Sequence, residues 1–159
     1  MATRALTLRV AGARDIAAVD ALMSDAFDPR YGEAWTRGQC LGVLALPGVA
    51  LLMAEVDDEP AGFAMTRRVL DEAELLLLAV SPAHREHGVG GALLRAAAAE
   101  AAAGGCAKLH LEVRNGNPAT RLYLRHGFAK VGERRGYYRG VDGLLHDAHS
   151  YSLVLPPSY

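Results

Sequence analysis

Leu75-Leu76-Leu77-Leu78-Ala79-Val80-Ser81-Pro82-Ala83-His84-Arg85-Glu86-His87-Gly88-Val89-Gly90-Gly91-Ala92-Leu93-Leu94 is the stretch on which the reading of this chain turns. The apolar run Leu75–Val80 reads as a buried strand, and Ser81-Pro82 ends it. A glycine-rich turn follows and opens into an Ala/Leu helix pattern that runs from Gly88 to about Ala103, where Gly104-Gly105 stops it. Strand, glycine turn and helix start in that order form a recipe for gripping phosphate. Free backbone N–H groups point at the anion, the helix dipole favours negative charge, and glycine lets the backbone come close. A Walker loop is excluded, because Gly91-Ala92 stands where Gly-Lys-Ser/Thr is needed. A dinucleotide fingerprint needs a further Gly at position 93, which is Leu, and seven residues separate Val80 from Gly88, too many for its tight turn. The glycines alone leave open a phosphate cradle and a plain loop with no ligand.

Outward from this stretch, the chain alternates strand and helix patterns. Thr7–Val10 reads as a short edge strand, and Asp15–Phe27 as a helix with Ile16, Val19, Leu22, Met23 and Phe27 at helical spacing. Asp28-Pro29-Arg30-Tyr31-Gly32 breaks it, and Trp35–Leu46 reads as a second helix weakened by Gly38 and Gly42. Val49–Val56, Ala61–Val69 and Glu74–Val80 read as strands. Lys108–Arg114 alternates strictly, with Leu109, Leu111 and Val113 on one face and His110, Glu112 and Arg114 on the other. Asn117–His126 reads as a short helix ended by Gly127, and Phe128–Arg135 and Ser150–Leu155 as closing strands. The pattern predicts one α/β-type domain over 1–159 with a mixed sheet.

Composition narrows the function classes. A net charge of −1 on 159 residues gives no footprint for nucleic acid or an anionic membrane. Met1–Leu6 lack the apolar core of a signal peptide, and no apolar run approaches the roughly 20 residues of a membrane span. Cys40 and Cys106 make no disulfide framework and match no nucleophile motif, which suits a reducing cytoplasm. His146 and His149 are three apart in an extended segment and fall on opposite faces, so no metal site is expected.

Several spaced motifs together resemble the GNAT acetyltransferase superfamily. They are Val80-Ser81-Pro82, then Arg85-x-x-Gly88-x-Gly90-Gly91-Ala92-Leu93-Leu94, then Leu111-Glu112-Val113, then Asn117-x-Ala119-x-x-Leu122-Tyr123-x-x-x-Gly127-Phe128. Asp71-Glu72-Ala73-Glu74-Leu75, Leu111–Arg114, Arg134-Arg135-Gly136-Tyr137-Tyr138, Asp142-Gly143 and Asp147-Ala148 are similar to its RimI-type branch, which acetylates the N-terminal alanine of a small-subunit ribosomal protein. The segment from about Asp28 to Pro47 matches least.

The resemblance implies a mixed, mostly antiparallel sheet of about seven strands with about four flanking helices, splayed between Glu74–Val80 and Lys108–Arg114. It implies acetyl-CoA as cosubstrate, lying in that gap. The pantetheine arm would pair with backbone around Leu78, Ala79 and Val80. The pyrophosphate would sit on His87, Gly88, Val89, Gly90, Gly91 and Ala92, with Arg85 assisting and Glu86 pointing away. Asn117 would contact the cosubstrate; it also suits a helix cap ahead of Pro118.

Transfer would be direct attack of an amine on the thioester, with Glu112 as base, acting through water, and Tyr123 as the acid that protonates the leaving thiolate. The residue patterns also allow a merely solvated Glu112 and a merely packed Tyr123. Tyr31 and Trp35, with Glu33 between them, would form one wall for the acceptor, and Arg135, Tyr137 and Tyr138, next to Arg134, the other. The expected acceptor is a protein or peptide N-terminus. A small-molecule amine and a non-catalytic acyl-CoA-binding module are the competing readings.

Overall fold

The computed structural model describes residues 5–157. Its strands are β1 (Leu6–Ala11), β2 (Val49–Val56), β3 (Glu59–Val69), β4 (Glu72–Val80), β5 (Lys108–Arg114), β6 (Ala129–Arg139) and β7 (Leu145–Val154). The α-helices are α1 (Ile16–Ala26), α2 (Arg37–Leu44), α3 (Val89–Ala103) and α4 (Ala119–Arg125). The strands form one seven-stranded sheet in the order β1-β2-β3-β4-β5-β7-β6, all neighbours antiparallel except β4 and β5, which run parallel.

Strand alternation sorts the side chains into two cores. On one face Leu52, Ala54, Ala64, Leu75, Leu109 and Leu111 pack under Val89, Leu93 and Leu94 of α3 and Tyr123 of α4. On the other, Leu51, Met53, Phe63 and Met65 meet Val19, Leu22 and Met23 of α1 and Cys40 of α2. The alanines of α3 let it lie close: Ala97 and Ala101 are buried, and a Cβ on Gly62 beneath it would meet Leu93 and Val89 at 3.2 and 3.3 Å.

One irregularity shapes the middle of the sheet. Met65 pairs with Leu77 and Thr66 with Leu75, so Leu76 is an extra residue on β4, a β-bulge. The bulge reverses the alternation: Ala73 and Leu75 face the α3 core, whereas Leu77 and Ala79 face the α1 core. The β4–β5 ladder stops at the same place. It joins Glu72–Leu75 to Lys108–Leu111, and beyond Leu75 and Leu111 the two strands part. The splay is where the resemblance puts it.

Several boundaries move. The first helical segment opens with a 3-10 turn at Ala13–Asp15, stabilised where Asp15 Oδ2 accepts the Gly12 N–H at 3.0 Å. The second helix begins after Trp35, because Thr36 caps it: Thr36 Oγ1 accepts Gln39 N–H at 3.1 Å and Gln39 Oε1 accepts Thr36 N–H at 2.8 Å. The short helix starts at Ala119, where the Asn117 carboxamide caps its first turn. β6 and β7 are longer than the pattern suggests, because Gly136, at φ +61°, sits in a bulge between Arg134 and Tyr138 and does not end the strand.

Leu93 has no exposed surface and links α3 to the sheet. Leu93→Ala should lower the unfolding free energy by about 2–5 kcal/mol in urea denaturation. A loss below about 0.5 kcal/mol, the scale of a surface change, would contradict this core assignment.

Candidate active site

Strand alternation fixes which backbone groups face the splay. Ser81 N–H donates to Ala61 O of β3 at 2.8 Å, so Ala79 and Leu77 also turn toward β3. Leu78 and Val80 therefore present their N–H and C=O groups to the gap. Arg85 spans the top of this edge: its Nε donates to Val80 O at 3.3 Å and its Nη2 to Ala26 O at 2.9 Å. Arg85 thus joins the ends of β4 and α1.

The glycine turn stands above the gap. Glu86 and Gly88 adopt the left-handed conformation at φ +64° and +82°, and Glu86 is exposed. Ala92 N–H returns to Gly88 O at 3.0 Å, so Val89, Gly90 and Gly91 are the first-turn residues whose amides have no helical carbonyl before them. No side chain caps them. Gly90 keeps this turn close to its neighbours, since a Cβ there would lie 3.2 Å from Leu122 and 3.6 Å from Val80. A run of uncapped amides on a glycine backbone beside a bare strand edge suits a long ligand with a phosphate at one end and an amide chain at the other. His87 is exposed and, with Leu6, Val56 and His84, lines a 380 Å³ cavity between the turn and the start of β1.

Glu112 is the first residue of β5 beyond its last pairing with β4. It faces away from the α3 core, and Arg134 Nε lies 2.9 Å from its Oε1. The β6 bulge brings two successive tyrosines to this point: the Tyr137 and Tyr138 rings meet edge-on at 4.9 Å, and Tyr138 donates to Glu112 O at 3.4 Å. Asp147 holds the bulge by accepting Gly136 N–H at 2.9 Å. Burial first, then the Glu112 charge, holds the Tyr137 phenol above its ordinary value. Arg135 is exposed; its neighbour Arg134 is the residue that reaches Glu112, a contact the pattern of two adjacent arginines could not distinguish.

Tyr123 is buried on α4, its ring edge-on to Phe128 at 5.8 Å. Burial and then the nearby Glu33 carboxylate push its phenol well up. Tyr138 is raised by burial and then by Glu33, Tyr137, Glu112 and Tyr123, so these groups share one neighbourhood.

Glu33, expected only as part of one wall for the acceptor, proves central to the contacts at the end of β5. Its side chain is 9% exposed and that of its partner Arg114 10%, so this is a buried ion pair. Glu33 Oε1 accepts Arg114 Nε–H at 2.9 Å, and Oε2 accepts Asn117 Nδ2–H at 2.7 Å. Asn117 Oδ1 in turn accepts Ala119 N–H at 2.9 Å, so both ends of this carboxamide are engaged within the protein. Arg114 lies 3.6 Å above the Tyr31 ring, and His146 meets that ring edge-on at 5.2 Å. Tyr31 is thereby clamped over the end of β5. Trp35 packs elsewhere, against the α1 core.

Among the described residues no group of three or more His, Cys, Asp or Glu is arranged to hold a metal, and no helix is long and apolar enough to cross a membrane. Glu74, on β4 opposite His110, faces the Glu112 side. Glu74 keeps an exposed side, but partial desolvation and then the Glu112 charge raise its carboxyl above the ordinary value. A carboxyl raised in the folded state binds protons more readily folded than unfolded, so it costs stability above its folded value and nothing below the unfolded value of about 4.3. Glu74→Gln should raise the melting temperature near pH 7 and lose that gain by about pH 4. Melting curves at the two pH values check this, and a variant less stable than the parent at neutral pH would contradict it.

Comparison with known proteins agrees with this geometry. The acetyltransferase (GNAT) family model matches residues 16–128. The Escherichia coli K12 protein named [ribosomal protein bS18]-alanine N-acetyltransferase is 45% identical over 84 residues, 52% of this chain and 57% of that one. The match to that relative therefore spans little more than half of its length. The protein of the same name from Haemophilus ducreyi is 36% identical over 122 residues, 76% of this chain and 83% of that one. The crystal structure of the ribosomal-protein-S18-alanine N-acetyltransferase from Escherichia coli superposes with a TM-score of 0.84 at 30% identity, covering 98% of this chain and 97% of that one. With the family model spanning well over half of the residues and the splayed seven-stranded sheet in common, the chain belongs to the GNAT family of acetyltransferases.

Proposed function

We propose that this protein transfers an acetyl group from acetyl-CoA to the α-amine of a protein N-terminus, with an alanine-starting ribosomal protein as the acceptor. The observation that carries the reading is the splay itself: a β4 edge at Leu78 and Val80 that no strand pairs, where only Val80 O is engaged, by Arg85, together with uncapped amides at Val89–Gly91 and Glu112 where β5 leaves β4. The shared name of the curated relatives supports the acceptor. Such an acceptor sets the reaction in the cytoplasm, where the two buried thiols, Cys40 and Cys106, remain reduced.

Acetyl-CoA supplies an activated acyl group as a thioester. In this reading the edge groups of Leu78 and the Val80 N–H, flanking Ala79, pair with the pantetheine amides, while Arg85 holds Val80 O. The amides of His87–Gly91 hold the pyrophosphate, with Arg85 nearby; the Ala92 N–H is committed to Gly88 O, and the Asn117 carboxamide, expected at the cosubstrate, is committed to Glu33 and Ala119. An α-amine has a pKa of about 8, so near neutral pH a modest base makes it nucleophilic. Glu112 takes that proton through water, and Arg134, 2.9 Å from Oε1, fixes the direction of its carboxylate. Nitrogen attacks the thioester carbonyl, the C–S bond breaks, and sulfur leaves as a thiolate. Tyr123 donates its phenolic proton to the thiolate and is reprotonated by the proton that nitrogen sheds as the amide forms. The raised phenol stays protonated across the working pH range, so the donor is always loaded. Tyr31 forms one side of the acceptor cleft, and Arg134, Tyr137 and Tyr138 the other; Trp35, packed on the α1 core, and the exposed Arg135 lie outside it.

The test is turnover with acetyl-CoA and a panel of alanine-starting peptides and small amines, read as CoA release and product mass. Acetylated peptide is expected. Turnover of small amines alone would overturn the acceptor, and cosubstrate binding without turnover of any amine would favour a binding module. Tyr123→Phe should lower kcat by about 10²–10⁴-fold with acetyl-CoA affinity unchanged, and Glu112→Gln should alter the pH–rate profile. Unaltered kcat and profile would remove both roles.

A further inference from the structure

Glu33 stands at a junction that the reaction scheme leaves unused. Its carboxylate belongs to the connection between α1 and α2, yet its two partners are Arg114, the last residue of β5, and Asn117, two residues ahead of α4. The connection is fastened at three further points. Val141 N–H donates to Pro29 O at 3.2 Å, His146 Nε2 lies 3.2 Å from Arg30 O, and Arg114 covers Tyr31. A carboxylate accepting two donors inside the protein is worth more than either bond alone, because each donor would otherwise be buried without a partner.

We propose that Glu33 is a positioning residue for acyl transfer, acting through Asn117 on the α4 turn that carries Tyr123 and through Arg114 on the Tyr31 side of the acceptor cleft. Asn117 Oδ1 and O accept Ala119 and Thr120 N–H at 2.9 and 3.1 Å, so the direction in which α4 leaves the chain depends on how Glu33 holds this carboxamide. Tyr123 lies four residues after Ala119, one turn on along the same face. The Glu33 charge acts on both Tyr123 and Tyr138, which places all three groups around one space. One carboxylate thus ties the wall that would receive the amine to the helix that would protonate the thiolate.

The inference rests on the acetyltransferase reading, so its test begins with turnover by the parent protein; no turnover at all would defeat that reading first. Glu33→Gln keeps the shape, but its amide group then faces one of the two donors and that contact is lost. The expected result is a fall in kcat of about tenfold or more with the KM for acetyl-CoA unchanged within about twofold. The decisive comparison is with Tyr123→Phe. If Glu33 acts through Tyr123, the double variant is as slow as Tyr123→Phe alone, to within about threefold. A purely structural role would lower the melting temperature and multiply the two losses, and that multiplication, or an unchanged kcat for Glu33→Gln, overturns the proposal. Should Glu33→Gln fail to fold, Asn117→Ser serves in the same cycle: its hydroxyl can still cap Ala119, and only the donor to Glu33 is removed.

Discussion

Leu76 is one residue more than the β3–β4 ladder can pair, and the site depends on what that extra residue does. Parallel strands joined by an unbroken ladder leave no room between them. The bulge turns β4 about its own axis and puts Leu75 and Leu77 on opposite faces, and the pairing with β5 ends at the same point, Leu75 with Leu111. A sheet interior normally hides its hydrogen-bonding groups. Here a strand in the middle of a seven-stranded sheet keeps an edge. The remaining parts of the site assemble around that edge: the glycine turn at its upper end, Glu112 across from it, and α4 over the α3 start.

The two halves of the sheet are held differently. From β1 to β4 helices cover both faces, and stability there comes from packing of Phe63, Met65, Leu93 and their neighbours. Across β5, β7 and β6 the face opposite α3 carries Glu112 paired with Ser150, His110 paired with Ser152, and Arg114 and Arg134 on either side of Ala148. That face is held by the Glu33–Arg114 and Glu112–Arg134 pairs and by the Tyr137–Tyr138 contact. Charged and aromatic groups fixed by directional contacts suit recognition of a polar acceptor better than apolar packing would.

Much of this was legible in the sequence, and the failures have physical causes. Lys108–Arg114 alternates between a buried and a polar face, so its bounds and the side taken by Glu112 follow directly from the pattern. The bulge could not be seen, because Leu75–Val80 is apolar throughout and a slip of one residue leaves such a run looking the same. β6 borders solvent and Gly136 resembles a stop, so its length was hidden. Glu33 lies in an aperiodic connection, and its partners are 81 and 84 residues away. The motif positions at Gly88–Gly91, Glu112 and Tyr123 carried the family, whereas the contacts that aim them, from Arg134 and Glu33, needed three dimensions.

Amide hydrogen exchange with and without acetyl-CoA addresses the bare edge itself. The account predicts new protection concentrated in two peptides, Leu76–Val80 and His87–Ala92, with the β2–β3 ladder unchanged. Binding that leaves both segments exchanging as before, or that protects chiefly the cavity at Gly48, Arg68 and Gly104, would contradict it.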